Sequence, residues 1–452
     1  MLSYKGPGHL NSLIALGRRL VSRGHRVTFF QGSDLERKVI EAGLEFCSID
    51  AVRSSSRRAA SPDQGHTRRS KSALMDLRYR IKRITDEMEL YLSQAPDVLI
   101  QAGVDALIID ELILPGPTLS EILKLPYFFV STSIPHNFGW AVPTSLSRCN
   151  NPLSFTERLQ NAFLQVSVFR LHGPIKWRLE QWRKRLGLGS VDGMQQHYPA
   201  LAHIATLPAC IDFPQPDLPA NFHYTGPFVD PDARLVIDFP WDKLDERPLL
   251  FVSLGTARKI RSHLFRTIAG ACDALGMQVV ISLGGSRDPG LLGELPGNPV
   301  IVKEAPQLEL IKLATIVINH AGINTVLECL MEGKPMIVIP ITHDQPAMAA
   351  RLAWLEVAEV IPEKRLTSPL LREAIKKLLA NDRYRTRAAY LQKTIRASPG
   401  LDRAVKLLED AMGSRAAKEA CPPRNSLPVN NRNDPHELAT ADGNVKETVT
   451  LA

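Results

Sequence analysis

The sequence predicts an α/β protein made of two Rossmann-like, doubly wound parallel-sheet domains that face each other across a cleft. The chain has 452 residues, which is too long for one ordinary hydrophobic core. Short β-branched runs alternate with amphipathic helical patterns from end to end, which favours right-handed strand–helix–strand units and parallel sheets. A proline-rich stretch interrupts this alternation near the middle and predicts a linker between two similar halves.

The first half opens with a predicted helix over residues 10–24, closed by Gly24. Its apolar residues recur at the spacing of one helix face: Leu10, Leu13, Ile14, Leu16, Leu20 and Val21. His25 to Phe30 reads HRVTFF and is a predicted buried strand, followed by strands in LEFCSI, VDALIID and YFFVSTS. The helix in SEILKLP must end before Pro126, because a residue before proline disfavours the helical conformation.

The second half repeats the alternation. Its predicted strands are PLLFVSLG, MQVVISLGG, NPVIVKE, ATIVINHAG and KPMIVIP, with a helix from about Ile260 after the first of them. The predicted divisions are an amino-terminal domain (1–228), a linker (229–246), a carboxy-terminal domain (247–400), a final helix (401–413) and a tail (414–452). The tail is polar and poor in apolar residues, so we expect it to be disordered.

The formal net charge is +8, and much of the excess lies between Arg53 and Arg80, around Arg57 and Arg69. Such a stretch is typical either of a solvated loop or of a segment attracted to an anionic surface. A basic stripe with interleaved aromatic residues is absent from the sequence, so we expect no nucleic acid partner. A peripheral membrane contact stays open as an extrapolation.

The six cysteines are far apart and form neither a CxxC pair nor a metal-ligand spacing, which favours reduced thiols. The sequence has no run of about 18 apolar residues, the length that a membrane-spanning helix needs. Its first residues, MLSYKGPGHLNS, have no apolar core before a cleavage site. We therefore predict a cytoplasmic protein, and association with the cytoplasmic face of a membrane stays open.

Polar side chains follow two neighbouring predicted strands in VINHAGINTVLECLMEGKPMIVIPITHDQP, and they are His320, Asn324, Thr325, Glu328, Asp344 and Gln345. Ligands of open parallel sheets bind beyond the carboxyl ends of the strands. The helix after His320 offers first-turn N–H groups for phosphate oxygens, and Glu328 suits the vicinal hydroxyls of a ribose. Asp344 and Gln345 suit sugar hydroxyls. Taken alone, each residue is equally well explained as a helix-capping residue or as part of a solvent-exposed helix face. Together they predict a nucleotide-sugar site.

This segment resembles the donor signature of the family 1 UDP-glycosyltransferases. The order is PQ, H-x-G-x-N-[ST], a Glu four residues beyond the Asn, G-x-P and [DE]-Q. The opening GPGHLNSLIALGRRLVSRGHRVTF, the segment NFHYTGPF and the segment FVSLGT are also similar to segments of this family. Among the bacterial branches, the sequence looks closest to zeaxanthin (carotenoid) glucosyltransferases, followed by macrolide glycosyltransferases.

The resemblance implies the GT-B fold, with the acceptor in the amino-terminal domain and the nucleotide sugar in the carboxy-terminal domain. It implies inversion at the anomeric carbon, no metal, and no cofactor besides a UDP-sugar co-substrate, with UDP-glucose as the expected donor. His9 takes the role of catalytic base, and Asp110 is its partner. The implied donor-binding residues are Gly255 and Thr256 near the phosphates, Gln307 at the uracil, His320, Gly322, Asn324 and Thr325 at the diphosphate, Glu328 at the ribose, and Asp344 and Gln345 at the sugar.

Three departures from the family pattern stand out. Glu304 replaces the tryptophan that stacks on uracil in plant relatives, Ser12 replaces a proline after His9, and the first strand is only MLSY. So short a strand predicts weak support for the loop that carries His9.

The expected acceptor is a lipophilic hydroxylated molecule. Its predicted walls are SIPHNFGWAVPTSL (residues 133–146) and the amphipathic stretch with Trp177 and Trp182, although core packing explains any one aromatic equally well. Two rival functions stay open: a nucleotide-sugar epimerase on the same plan, and a degenerate relative that binds nucleotide sugar without turnover.

Overall fold

The structure is a computed structural model that describes residues 1–49, 73–135, 173–190, 200–215, 218–234, 236–255, 262–273, 275–285, 288–342 and 344–413, with single positions at 156, 159, 160, 163 and 170. Two parallel sheets, one in each half of the chain, form its framework. None of the helices in these ranges has both the length and the apolar character needed to cross a bilayer.

The first domain contains the strands β1 (Thr28–Gln31), β2 (Glu45–Ser48), β3 (Leu107–Asp110), β4 (Tyr127–Ser131), β5 (Ala202–Ala205) and β6 (Phe222–Tyr224). Strands β1 and β2 pair with each other, and β3 to β6 form a second parallel group in sequential order. The chain start lies between the two groups. Leu2 donates its N–H to Ile108 and accepts from Asp110, while Met1 accepts from Phe30 on the other side.

The short first strand is therefore bound on both sides. Leu2 is fully buried, and the backbone of Met1 and Leu2 joins the two groups into one continuous sheet. The expectation of weak support for His9 was wrong, because backbone hydrogen bonds to two neighbouring strands fix this segment despite its length.

The helices of this domain are α1 (Pro7–Ser22), α2 (Glu36–Glu41), α3 (Ala73–Ala102), α4 (Gly116–Leu123) and α5 (Gly173–Arg185). Helix α1 packs on one face of the sheet, where its predicted apolar residues are buried, except that Val21 is exposed. Helix α1 begins earlier than predicted, at Pro7, because proline suits the first turn of a helix. His9 therefore lies in that first turn.

The second domain has the strands β7 (Leu249–Ser253), β8 (Gln278–Ser282), β9 (Val300–Val302), β10 (Ile316–Asn319), β11 (Met336–Val338) and β12 (Ala358–Val360), in the order β12-β11-β10-β7-β8-β9. Its helices are α6 (Ser262–Cys272), α7 (Gln307–Leu313), α8 (Ile323–Met331), α9 (Gln345–Trp354), α10 (Ser368–Ala380) and α11 (Asp382–Arg396). Helices cover both faces of the sheet around two apolar clusters. The carboxyl ends of β7, β10 and β11 lead into the predicted donor residues.

The last helix, α12 (Gly400–Gly413), returns to the first domain. Its apolar face, which includes Leu401, Val405 and Leu408, packs into the cluster around α1. Glu409 accepts a hydrogen bond from Arg23 Nη2, directly after α1, at 2.6 Å. The chain thus crosses between the domains twice, once near residue 230 and once near residue 400. The predicted tail lies outside the described residues.

A buried ion pair also joins the domains. Arg351, on α9, donates from Nε to Asp212 Oδ1 at 2.8 Å, and neither side chain is exposed. Tyr224 donates its hydroxyl to the other carboxylate oxygen at 2.6 Å, and the guanidinium lies 4.4 Å from the ring centre of Phe213. Because α9 starts at Gln345, this pair ties one predicted sugar-binding residue to the first domain.

Candidate active site

His9 and Asp110 are 101 residues apart in sequence and in contact in the structure. Helix α1 presents the imidazole from its first turn, and β3 ends at Asp110 directly beneath it. His9 Nδ1 lies 2.8 Å from Asp110 Oδ2, and the other oxygen, Oδ1, accepts the N–H of Leu112 at 3.0 Å. Asp110 is completely buried, whereas 17% of the His9 side chain is exposed. The carboxylate is thus fixed, and the ring reaches solvent.

The contact with Asp110 sets the chemistry of the imidazole. A carboxylate only accepts hydrogen bonds, so Nδ1 carries the proton and Nε2 keeps its lone pair. Burial lowers the pKa of His9, but the hydrogen bond to Asp110 and the negative charges of Asp110, Glu111 and Asp344 outweigh burial and raise it above 6.5. Nε2 can therefore act as a base that gains a proton readily.

Thr132 is a third member of this group, and the sequence reasoning missed it. Its Oγ1 lies 2.5 Å from His9 Nδ1 and 3.4 Å from Asp110 Oδ2. Thr132 follows directly after β4, the neighbour of β3, so the strand-end rule applied to YFFVSTS was the signal that could have found it. The ring of Tyr4 packs against the imidazole edge, with centroids 5.1 Å apart.

The donor-side loop of the second domain contacts the turn that carries His9. Asn324 Nδ2 donates to the carbonyl of Gly8 at 2.8 Å, so the neighbour of His9 touches the first turn of α8. The charge of Asp344, at the start of α9, acts on His9 as described above. The structure therefore brings the turn that carries His9 into contact with Asn324 of the second domain.

His320 follows β10, and its ring is enclosed by two glycines. A Cβ built on Gly255 would lie 2.6 Å from the ring, and one on Gly322 would lie 2.5 Å from Nε2. Gly255 also has φ +80°, which side-chain-bearing residues rarely adopt. Burial lowers the pKa of His320 to about 4, although a hydrogen bond with the Ser253 backbone raises it in part. The ring is therefore neutral near pH 7.

The backbone between these residues is unusual at Ala321, which has φ +64° although it carries a side chain. Asn319 Oδ1 accepts the N–H of Ala321 at 2.8 Å and holds this conformation. Helix α8 then starts after Gly322, one position before Asn324. Its first-turn N–H groups have no acceptor within the helix, and the cap residue Gly322 lies against the ring of His320.

Glu328 is 2% exposed, and both of its carboxylate oxygens have partners. Gln307 donates from Nε2 to Oε2 at 2.6 Å, and Arg234 pairs with Oε1. Gln307 also lies 3.4 Å from Thr325 Oγ1 and accepts the hydroxyl of Ser253 at 3.1 Å. The structure therefore brings Gln307, Thr325 and Glu328 into one hydrogen-bonded group, although the sequence assigned them to different parts of the donor, and it adds Arg234.

The side chain of Gln345 stabilises the loop that precedes α9. Its Oε1 accepts the N–H groups of Ile341 and Thr342 at 2.9 and 2.8 Å, which leaves the amide NH2 as the part that could donate to a ligand. Asp344 precedes α9, and its negative charge contributes to the raised pKa of His9. Thr256 lies outside the described residues. Within the part of the chain that the structure describes, no three His, Cys, Asp or Glu side chains group as metal ligands.

The arrangement combines an oriented base in one domain with polar groups in the other that suit an anionic, hydroxyl-rich ligand. A helix N-terminus and a neutral histidine can bind phosphate oxygens. A buried carboxylate and an amide can bind ribose hydroxyls. These are the groups needed to activate an alcohol beside a nucleotide sugar.

Comparisons with known proteins identify the family and the fold. The family model described as "UDP-glucoronosyl and UDP-glucosyl transferase" matches residues 98–427. The chain is 27% identical over 413 residues to the zeaxanthin glucosyltransferase of Pantoea ananas, with 89% of this chain and 93% of that protein covered.

Two solved structures are similar in fold. The glycotransferase of kitacinnamycin has a TM-score of 0.71 at 24% identity and covers 91% of this chain and 97% of its own. The glycosyltransferase VinC in complex with DTDP has a TM-score of 0.63 at 18% identity, with 92% and 98% covered. The predicted GT-B fold is confirmed. Because the family model matches well over half of the chain, this protein belongs to the UDP-glucuronosyl and UDP-glucosyl transferase family and is a family 1 glycosyltransferase.

Proposed function

We propose that this protein transfers a hexose, glucose in the first place, from a UDP-sugar to a hydroxyl of a lipophilic small molecule such as a carotenoid or a macrolide. The transfer inverts the anomeric carbon and proceeds without a metal ion, as in the family that the sequence resembles. The observation that carries the proposal is the His9–Asp110 pair, because Gly8, next to His9, accepts a hydrogen bond from Asn324 of the second domain.

In the proposed reaction the acceptor hydroxyl attacks the anomeric carbon of the donor sugar. The new carbon–oxygen bond forms as the bond to the β-phosphate oxygen breaks, and the hydroxyl proton passes to His9 Nε2. Asp110 stabilises the resulting imidazolium from the Nδ1 side at 2.8 Å. UDP leaves with the bonding electron pair, and the N–H groups of α8 and neutral His320 stabilise its phosphate charge.

The donor nucleotide is placed by Glu328 and Gln307. A buried carboxylate beside an amide is well suited to a ribose, and the family description supports a UDP-sugar. The DTDP complex of VinC extends the candidate donor class to TDP-sugars. Glucose as the sugar is supported by Asp344 and Gln345 and by the name of the zeaxanthin glucosyltransferase. Removal of divalent cations with EDTA should leave the rate unchanged.

A lipophilic acceptor is supported by the zeaxanthin glucosyltransferase among the relatives. Residues 136–146 of the predicted acceptor wall and the basic segment with Arg57 and Arg69 lie outside the described residues. Trp182 packs against the core of the first domain, whereas Trp177 is 59% exposed on α5. The comparisons give no support to the membrane contact that the sequence left open.

The test measures UDP release from UDP-glucose with a panel of hydroxylated carotenoids, macrolides and flavonoids. UDP that appears only when an acceptor is present supports transfer. Conversion of the sugar without an acceptor would support an epimerase, and tight UDP binding without release would support a degenerate relative. That last alternative rested on the short first strand, which proved to be hydrogen-bonded on both sides.

A further inference from the structure

Arg234 occupies one oxygen of the carboxylate to which the proposed function assigns the ribose. Glu328 Oε1 is held by Arg234, and Oε2 is held by Gln307 at 2.6 Å. Glu328 is buried, whereas 29% of the Arg234 side chain is exposed. The guanidinium can therefore move towards solvent, but the carboxylate cannot.

The segment that carries Arg234 is fastened to the first domain. Asp230, four residues earlier, accepts Arg18 Nε of α1 at 2.8 Å and caps the short helical turn at residues 231–233. Arg18 also donates to the carbonyl of Ala42 at 3.0 Å. The first domain thus anchors the backbone here, and the long side chain of Arg234 reaches across to α8 of the second domain.

A ribose offers two adjacent hydroxyls, whereas a 2′-deoxyribose offers one. A site built to hydrogen-bond a hydroxyl usually rejects the analogue that lacks it, because a buried acceptor loses its partner. At Glu328 that loss need not occur, since Arg234 already satisfies one of the two oxygens.

We propose that Arg234 makes the donor site tolerant of a missing ribose hydroxyl. With a 2′-deoxyribonucleotide, the guanidinium stays on Glu328 Oε1. With a ribonucleotide, the Arg234 guanidinium leaves Glu328 Oε1 and turns towards solvent. Glu328 Oε1 then accepts a hydrogen bond from the additional ribose hydroxyl. The benefit of the additional hydroxyl is offset by the loss of the ion pair, so Arg234 is a specificity-determining residue for the nucleotide. This inference rests on the proposed function, in which Glu328 receives the ribose.

The experiment measures the dissociation constants of UDP and of 2′-deoxy-UDP by calorimetry on the full chain. In the parent protein we expect the two constants to agree within about threefold. Arg234→Met should raise the ratio of the 2′-deoxy-UDP constant to the UDP constant to about tenfold or more, because Oε1 now depends on the ribose for a partner. Arg234→Lys retains a cationic donor and should keep the parent ratio.

Arg247→Met is the matched control. It removes an arginine that pairs with Asp245 at 2.7 Å, exposed and away from the site, and it should leave both constants unchanged. A parent ratio of about tenfold or more would overturn the inference, whether or not Arg234→Met folds. Equal weakening of both nucleotides by Arg234→Met would also overturn it, since that result indicates a phosphate ligand. Failure of the parent to bind UDP would instead overturn the proposed function, and this inference with it.

Discussion

Asp110→Asn tests the role of the carboxylate behind His9. The amide is nearly the same size as the carboxylate, and one of its ends can keep the hydrogen bond from the Leu112 N–H. The other end then presents an NH2 group to His9 Nδ1, which must become an acceptor. The ring proton moves to Nε2, so the nitrogen that faced the acceptor hydroxyl no longer has a lone pair.

The size of the effect follows from this loss. A positioned general base contributes roughly 10²- to 10⁴-fold to a rate, and we expect kcat to fall within that range. The pH profile gives a second readout. The base works when it is neutral, so activity rises as the pH rises through the pKa of His9. Because Asp110 raises that pKa, the acidic limb of the residual activity should move to lower pH in the variant.

The assay is UDP release under saturating UDP-glucose and acceptor, from mildly acidic to mildly alkaline pH, together with the dissociation constant of UDP. That constant should not change, since Asp110 lies in the first domain. Asp97→Asn, the same substitution at an exposed position of α3, is the control and should behave like the parent. A variant that retained the parent rate and an unshifted acidic limb would refute the assignment of His9 and Asp110 as base and partner.

Three further substitutions test other parts of the account. Glu328→Ala should raise the KM for UDP-glucose about tenfold or more with a smaller effect on kcat, and an unchanged KM would discard the ribose assignment. Gly322→Ala should weaken UDP binding, because its Cβ would lie 2.5 Å from the ring of His320, and calorimetry that shows parent affinity would contradict this role for the glycine. Arg351→Met should lower the free energy of unfolding by about 3–5 kcal/mol, because Asp212 would remain buried without its cation. An unchanged denaturation midpoint would contradict the view that this pair stabilises the contact between the domains.

The sequence predicted the alternating framework and the carboxyl-end location of the donor residues, because both follow from local periodicity and from the geometry of parallel sheets. The pairing of His9 with Asp110 came only from the family resemblance. Without it, each residue reads as a cap or a turn residue.

Contacts made by the packing of distant segments have no local pattern, and the sequence did not predict them. Arg234 reaches Glu328 across 94 positions, and Arg351 reaches Asp212 across 139. The exposure of Val21 was also not predicted from the sequence. Its spacing fits the apolar face of α1, but it lies at the end of the helix, past the edge of the core.

The central claim is that an imidazole of the first domain acts on a nucleotide sugar held by the second. The most direct test is His9→Ala, measured for transfer and for UDP affinity on the same preparation. The account predicts that transfer is abolished while the dissociation constant of UDP stays close to that of the parent. Transfer at the parent rate would contradict it.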